Sequence, residues 1–429
     1  MRILHLTWEY PPVMYGGLGR HVHALANAQA ANGHEVVVIT QAPNSAAPAR
    51  VPWGSTGAVR VLRATIDPST HDPRDLLAHV AEMECEFTGH GNALLADWQP
   101  DVIHAHDWMV AHAAVALRGR CRAPLTATIH ATEAGRNRGW VTTDLSTAIH
   151  GIEWWLANTA DAVITCSRTM RDEVRTLFGI GSAYVVPNGI EPAEWRRPEF
   201  ETARISAENA DAHPLIAYTG RVEWEKGVQT LLSAMPALRQ EHPGIRLLVA
   251  GRGSYLDDLQ RQAEHLGLDG SVRFMGWVSE EDLRAIVAAA DLAVAPSLYE
   301  PFGLIALEAA AIGTPLIVSR SGGLAEFADE DQRALTFAPG DADSLVQAVN
   351  AALADPRATH ELAERARAAV LADHDWRVLA RMTTDVYEQS RANLGIGPDD
   401  PRHQAADARH ALVMPRFDAP PGRLLDVAQ

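Results

Sequence analysis

The chain has 429 residues and a formal net charge of −17 at neutral pH, with 47% hydrophobic and 21% charged residues. That length exceeds one ordinary hydrophobic core, and the composition is that of a globular protein, so two or three domains are expected. The acidic balance speaks against a nucleic-acid binder, which needs a basic face for phosphates, and against a polybasic membrane anchor. An anionic ligand would then be held by a few placed cations and backbone amides.

The segment Met1–Thr7 reads as a strand and lacks the apolar region and small-residue cleavage site of a signal peptide. No apolar run reaches the ~18 residues of a membrane span, so no integral membrane segment and a cytoplasmic location are expected. Cys85, Cys121 and Cys166 lack C-x-x-C spacing and read as buried thiols of a reducing compartment.

In chain order, the strand Ile3–Thr7 is followed by a helix near Gly19–Asn32, a left-handed cap at Gly33, and the strand Glu35–Thr40. Apolar runs follow at Val102–His104, Leu125–Ile129, Ala162–Cys166 and Tyr184–Val186, nearly continuous as in strands covered on both faces. After Pro187-Asn188-Gly189, the polar stretch Glu191–Pro214 carries three prolines and reads as an interdomain linker. The alternation then restarts. Strands are expected at Leu215–Tyr218, Ile245–Ala250, Val272–Met275, Leu292–Ala295 and Leu316–Ser319, and helices at Val228–Gln240, Tyr255–Leu266, Asp343–Ala354 and Arg357–Leu371. Ser279 and Asp341 stand as N-caps of the helices that follow them. A last helix, Trp376–Leu394, is expected to leave the second domain and pack on the first. The pattern gives an N-terminal domain over 1–195, a C-terminal domain over 196–375, and a tail, 395–429, read as disordered.

Chemistry concentrates in three places. The first is Glu300-Pro301-Phe302-Gly303-Leu304-Ile305-Ala306-Leu307-Glu308, two glutamates flanking a strand-to-helix junction. Pro301 suits a first helical turn, and free amides with the helix dipole favour an anion there. Gly303 lets a phosphate approach the backbone. Glu308, about 12 Å further on at ~1.5 Å per helical residue, would then suit ribose hydroxyls while Glu300 takes a hexose. The second place is Thr219-Gly220-Arg221-Val222-Glu223-Trp224-Glu225-Lys226-Gly227, where Arg221 and Lys226 follow a parallel strand and would clamp a diphosphate. The third is Tyr15-Gly16-Gly17-Leu18-Gly19 after the first strand, which is not a G-x-G-x-x-G fingerprint.

His104, His106 and Asp107 cluster in the first half, and most such histidines are satisfied core or loop residues. No H-E-x-x-H or Cys/His spacing supports zinc. His130 ends a strand, so it is expected to face the interdomain cleft and contact sugar. There is no G-x-S-x-G elbow and no P-loop, and the Asp341-Ala342-Asp343 triplet, standing before an expected helix, reads as an N-cap and not as a metal-binding D-x-D.

These motifs, in this order, resemble the family-4 retaining glycosyltransferases over roughly residues 1 to 390. Trp8–Pro12, Gly16–Gly19, His104-Ala105-His106-Asp107-Trp108 and Ile129–Arg136 look like the glycogen and starch synthase branch. They are similar, more narrowly, to actinobacterial α-(1→4)-glucosyltransferases of glycogen and methylglucose lipopolysaccharide synthesis. The resemblance implies an α/β fold of two Rossmann-like domains facing across a cleft, known as GT-B. It also implies glucose transfer from UDP-glucose or ADP-glucose to an α-glucan or glucosylated primer.

At matching positions, His130, Arg221, Lys226 and Glu300 would be catalytic. Gly16, Gly17, Asn188, Gly303, Leu304 and Glu308 would join Arg221 and Lys226 around the donor, and Tyr10, Asp107 and Glu133 would lie on the acceptor side. The resemblance implies no cofactor and no catalytic metal. One departure stands out: Tyr15 occupies a position where starch and bacterial glycogen synthases carry a lysine, so one phosphate-binding cation is lost. A sugar-nucleotide epimerase on the same plan and a non-catalytic nucleotide-sugar sensor are the competing readings, and fold alone does not separate them. Oligomeric state is left open, a homo-oligomer included.

Overall fold

The computed structural model describes residues 1–43, 59–67, 72, 75–121, 123–395 and 422–423. The chain divides into two compact units: one gathers residues 1–187 with the C-terminal segment from 376, and the other is 188–375.

The first unit is built on seven parallel strands. They are β1 (Arg2–Leu6), β2 (Glu35–Gln41), β3 (Arg60–Ala64), β4 (Val102–His106), β5 (Leu125–Ile129), β7 (Ala162–Thr165) and β8 (Tyr184–Val185). The short β6 (Trp140–Val141) lies outside this sheet. The order β3-β2-β1-β4-β5-β7-β8 reverses direction between β1 and β4, a topological switch point. Glu-Val-Val-Val-Ile-Thr-Gln of β2 is buried almost throughout, as a strand covered on both faces must be.

Side chains alternate across a strand, and the β1–β4 register pairs His5 with His104, so His5, His104 and His106 share one face. The helices Gly17–Ala31 and Trp376–Asn393 cover that face. Val22 and Ala26 pack with Ile3, Val36, Val38 and Tyr387, while Leu379 and Val386 meet Leu25, Ala162 and Ile164. The C-terminal helix therefore completes the first unit's core.

The second unit holds six parallel strands, β9 (Leu215–Thr219), β10 (Arg246–Ala250), β11 (Val272–Gly276), β12 (Leu292–Ala295), β13 (Leu316–Ser319) and β14 (Leu335–Phe337). Their order is β11-β10-β9-β12-β13-β14, so the switch point falls between β9 and β12. Asp341 and Ser279 accept from the amides of Ser344 and Asp282, each satisfying a donor at a helix start. A two-residue strand, β15 (Gly422–Arg423), pairs antiparallel with β6. The rest of the 395–429 segment beyond Gly395 lies outside the described residues.

Three expectations need correction. The polar stretch 191–214 contains the helix Glu199–Glu208, which buries Thr202 and Ile205 and packs on the helix Glu280–Ala289. Two buried positions per three turns leave a stripe too narrow to see as a period. Pro301 is not in a helical turn: the helix spans Leu304–Ile312, and Gly303 caps it at φ 101°. Only five of the nine residues from Glu300 to Glu308 are therefore helical, and the axial distance reasoned from a continuous helix does not apply. Finally, Cys85 is exposed, whereas Cys121 and Cys166 are buried.

Candidate active site

Each site residue of the second unit follows from the switch point. Lys226 comes just after β9 and Glu300 just after β12, at the carboxyl ends of the two strands where such sheets bind ligands. Lys226 Nζ donates to Glu300 Oε2 at 2.8 Å, and Ser297 Oγ donates to the same oxygen at 3.0 Å. Both charged side chains are largely buried, so the pair is held apart from bulk water. Arg221 instead pairs with Glu225 at 3.2 Å and is more exposed. Its carbonyl accepts from the Tyr218 hydroxyl at 2.5 Å, and burial pushes the Tyr218 pKa up. The carbonyl of Glu225 in turn takes the amides of Leu298 and Tyr299, tying the loop after β9 to the loop after β12.

Glycines let these loops touch. A Cβ on Gly227 would stand 1.9 Å from the Pro296 carbonyl oxygen, and one on Gly322 would stand 2.2 Å from that of Glu300. Both have positive φ, 71° and 51°, so an L side chain would add strain to the clash. The amide of Gly323 donates to the Glu300 carbonyl at 2.8 Å. A Cβ on Gly303 would lie 2.5 Å from Leu324 Cδ2. As a result two helix N-termini, at Leu304 and Gly322, converge beside Glu300 and supply positive dipole ends and backbone amides.

Gly303 and Leu304 lie at the first of these helix starts. Glu308 is one turn further in and buried. Asn188 opens the second unit and is buried, its carbonyl 3.0 Å from His374 Nδ1.

In the first unit the switch point carries different groups. Glu9, after β1, aims its carboxylate at the loop that follows: Oε2 accepts from the amides of Tyr15 and Gly16 at 2.8 and 2.9 Å, and Oε1 accepts from Trp8 Nε1 at 3.1 Å. Gly17 opens the helix, and Tyr15 stacks on Trp8 at 5.0 Å. The Gly16 amide thus already holds an internal carboxylate. Tyr10 is buried, and burial raises its hydroxyl to about 12.

Asp107 follows β4 in a positive-φ conformation, 63°, and Oδ1 accepts from the backbone amide of His130 at 2.7 Å. Burial pushes Asp107 up to about 6, opposed by the Arg136 guanidinium and that amide. Glu133 begins a short helix; its amide donates to both oxygens of the buried Glu153 at 2.9 and 3.1 Å, and burial raises Glu153 well above the carboxylate range.

His130 is half-buried just past β5, with His21 edge-on at 4.6 Å. Burial lowers it to about 3, reinforced by the Arg136 guanidinium, so the ring is neutral at pH 7. Two histidine triplets, His5/His104/His106 and His21/His106/His130, have ring nitrogens within 4.8 Å of one another. In the first triplet all six nitrogens already have hydrogen-bond partners, so its geometry is that of a network.

The structure thus brings Lys226 and Glu300, both expected from the sequence, into contact, with Gly303 at the adjacent helix start, leaves His130 in the first unit, and adds Glu9, Ser297, Glu225 and the Gly322-Gly323 pair, which sequence reasoning did not name as site residues. The last carried a visible signal: two glycines between a strand and a helix, the pattern already noted at Gly16-Gly17.

Known proteins resemble the chain over nearly its whole length. The family description "Glycosyltransferase Family 4" matches residues 15–194, and "Glycosyl transferases group 1" matches residues 199–369. The chain is 42% identical over 426 residues to a glycogen synthase of Mycobacterium tuberculosis, covering 96% of this chain and 99% of that protein. It is 28% identical to the alpha-maltose-1-phosphate synthase of Mycolicibacterium smegmatis over 91% of this chain and the whole of that protein. The solved sucrose-phosphate synthase of Thermosynechococcus elongatus superposes with a TM-score of 0.79 at 26% identity, over 91% of this chain and 99% of that one.

Proposed function

Because the chain belongs to the family-4 glycosyltransferases, enzymes of the GT-B fold, we propose that it moves glucose from a nucleoside-diphosphate glucose to an α-glucan, with retention and an α-(1→4) link. The observation that carries this reading is the buried Lys226–Glu300 pair, 2.8 Å apart where two helix N-termini converge.

A diphosphate entering there meets Lys226, Arg221 and the amide of Leu304, while the Gly323 amide keeps the Glu300 carbonyl in place. Lys226 then exchanges Glu300 for phosphate oxygens, and the Glu300 carboxylate is released to accept from hexose hydroxyls. As the bond from the anomeric carbon to the diphosphate breaks, the cations and amides stabilise the charge left behind. The acceptor hydroxyl forms the new bond, and its proton passes to the departing phosphate. His130 lines the hexose, and Glu308 takes the ribose. The positive charge comes from side chains and helix ends, so turnover is expected to survive a chelator. The M. smegmatis relative favours one alternative acceptor, glucose 1-phosphate, with α-maltose 1-phosphate as the product.

The test is a donor-by-acceptor matrix: UDP-glucose and ADP-glucose, each with maltooligosaccharide, with glucose 1-phosphate and with buffer. Elongation of the oligosaccharide supports the reading and names the base. Product with glucose 1-phosphate alone replaces the acceptor, and no sugar transfer with any pair overturns the proposal.

A further inference from the structure

The sealed face of the first sheet carries a single unbranched chain of hydrogen bonds that starts at His130. His130 Nε2 lies 3.3 Å from His106 Nδ1, His106 Nε2 lies 3.0 Å from His5 Nδ1, and His5 Nε2 lies 2.7 Å from Gln29 Oε1. Gln29 Nε2 donates to the Tyr387 hydroxyl at 3.2 Å. That hydroxyl lies 2.6 Å from His104 Nδ1, and His104 Nε2 lies 2.7 Å from Thr128 Oγ1. The members come from β1, β4, β5 and both covering helices, and every one inward of His130 is buried.

One bond sets the direction of the rest. A carboxamide oxygen only accepts, so His5 carries its proton on Nε2. Burial keeps His5, His104, His106 and His130 neutral, so each ring has one donor and one acceptor. His5 Nδ1 must then accept, His106 donates from Nε2 and accepts at Nδ1, and His130 donates from Nε2. On the other side, Tyr387 accepts from Gln29 and donates to His104 Nδ1, which leaves the His104 Nε2 proton for Thr128. With the Gln29 amide turned over, every bond would reverse, and His130 would be protonated on Nδ1. The tautomer of His130 is thus a collective property of groups on five elements.

We propose that Gln29, His5 and Tyr387 are positioning residues which hold His130 in the Nε2-protonated tautomer, leaving Nδ1 as an acceptor for a substrate hydroxyl. Such a nitrogen receives a hydroxyl hydrogen and disfavours a carboxylate oxygen, so the site takes a neutral hexose over a hexuronic acid. The identity of that hydroxyl rests on the transferase reading above; the tautomer does not.

Long-range proton–nitrogen spectra of the full chain with 15N-labelled histidine test this, the His130 ring being assigned by its loss in His130→Gln. The wild type is expected to show His130 protonated on Nε2. Tyr387→Phe and Gln29→Met are each expected to shift it to a mixture, with circular dichroism unchanged. A His130 ring protonated on Nδ1 in the wild type, or one unmoved in both variants, overturns the proposal. In turnover, Tyr387→Phe is expected to lower kcat/KM about tenfold in the wild type and to add nothing in a His130→Ala background, since both changes act through one ring. Equal losses in the two backgrounds would make Tyr387 merely structural. If no sugar pair turns over, the spectra still decide the tautomer.

Discussion

On the covered face of the first unit's sheet the polar groups are uncharged rings bonded to one another beneath two helices, whereas at the switch point of the second unit they are a lysine and a glutamate held by glycine turns. The two sheets are alike in direction and in the place where strand order reverses. The difference lies in what burial does to each set. Neutral imidazoles can be sealed completely because each finds a partner for both nitrogens. A charged pair cannot be buried so deeply without large desolvation cost, so it stays at the strand ends with a serine and helix dipoles beside it. The first arrangement suits fixed orientation, and the second suits exchange of one anion for another.

Several changes would break or sharpen that contrast. The largest effect is expected from Lys226→Ala, which removes a preorganised cation and should cost about 10³-fold in turnover. Wild-type turnover in that variant would remove the diphosphate clamp. Next come the glycines. Gly322→Ala places a Cβ 2.2 Å from the Glu300 carbonyl oxygen and should destabilise the second unit by ~3 kcal/mol. Gly33→Ala, with positive φ but nothing within 4 Å, should cost only ~1 kcal/mol. Chemical denaturation that finds the two equal would show that conformation alone, and not the close approach, matters at Gly322.

The histidines give a pH signature. His5 titrates near 4 in the folded chain and His130 near 3, both below the unfolded value of 6.5, so between those limits the unfolded state binds more protons. The contribution of these histidines to stability therefore rises with pH across that window and is lost as pH falls from 6.5 toward 4, by up to ~1.4 kcal/mol per pH unit for each, while the raised carboxyls of Asp107 and Glu153 act with the opposite sign. Hydrogen exchange on β1 and β4 at pH 5 and pH 7 reads this locally, and equal protection would contradict a neutral network. The smallest effect belongs to Ser279→Ala, a lost N-cap worth ~1 kcal/mol, visible as a small drop in Tm without change in turnover.

Much of the second unit's site was legible because its chemistry is contiguous. The turns after β9 and β12 carry Arg221, Lys226 and Glu300 within single motifs, and a strand feeding a helix marks where an anion belongs. What the motifs concealed was the local path: Gly303 in a left-handed conformation delays the helix past Pro301. In the first unit the strands could be read from their apolar runs, yet the histidine network could not. His-x-His at 104 and 106 announces a shared face, but the partners His5, Gln29 and Tyr387 arrive through β1–β4 register and helix packing, the last from more than 280 residues away. Glu9 was hidden because Oε2 takes the backbone amides of Tyr15 and Gly16, which leave no trace in residue type.

The return of Trp376–Asn393 to the first unit also has a consequence for how the protein is made. Residues 188–375 form a continuous insertion, complete before the last helix is translated. The first unit, by contrast, has seven strands finished early yet waits for Leu379, Val386 and Tyr387. At roughly 5–20 residues per second, that interval lasts on the order of 10–40 s. During synthesis the nascent N-terminal sheet therefore leaves the ribosome with one apolar flank uncovered, and chaperones would be needed there, while the later-made unit can fold as soon as it emerges.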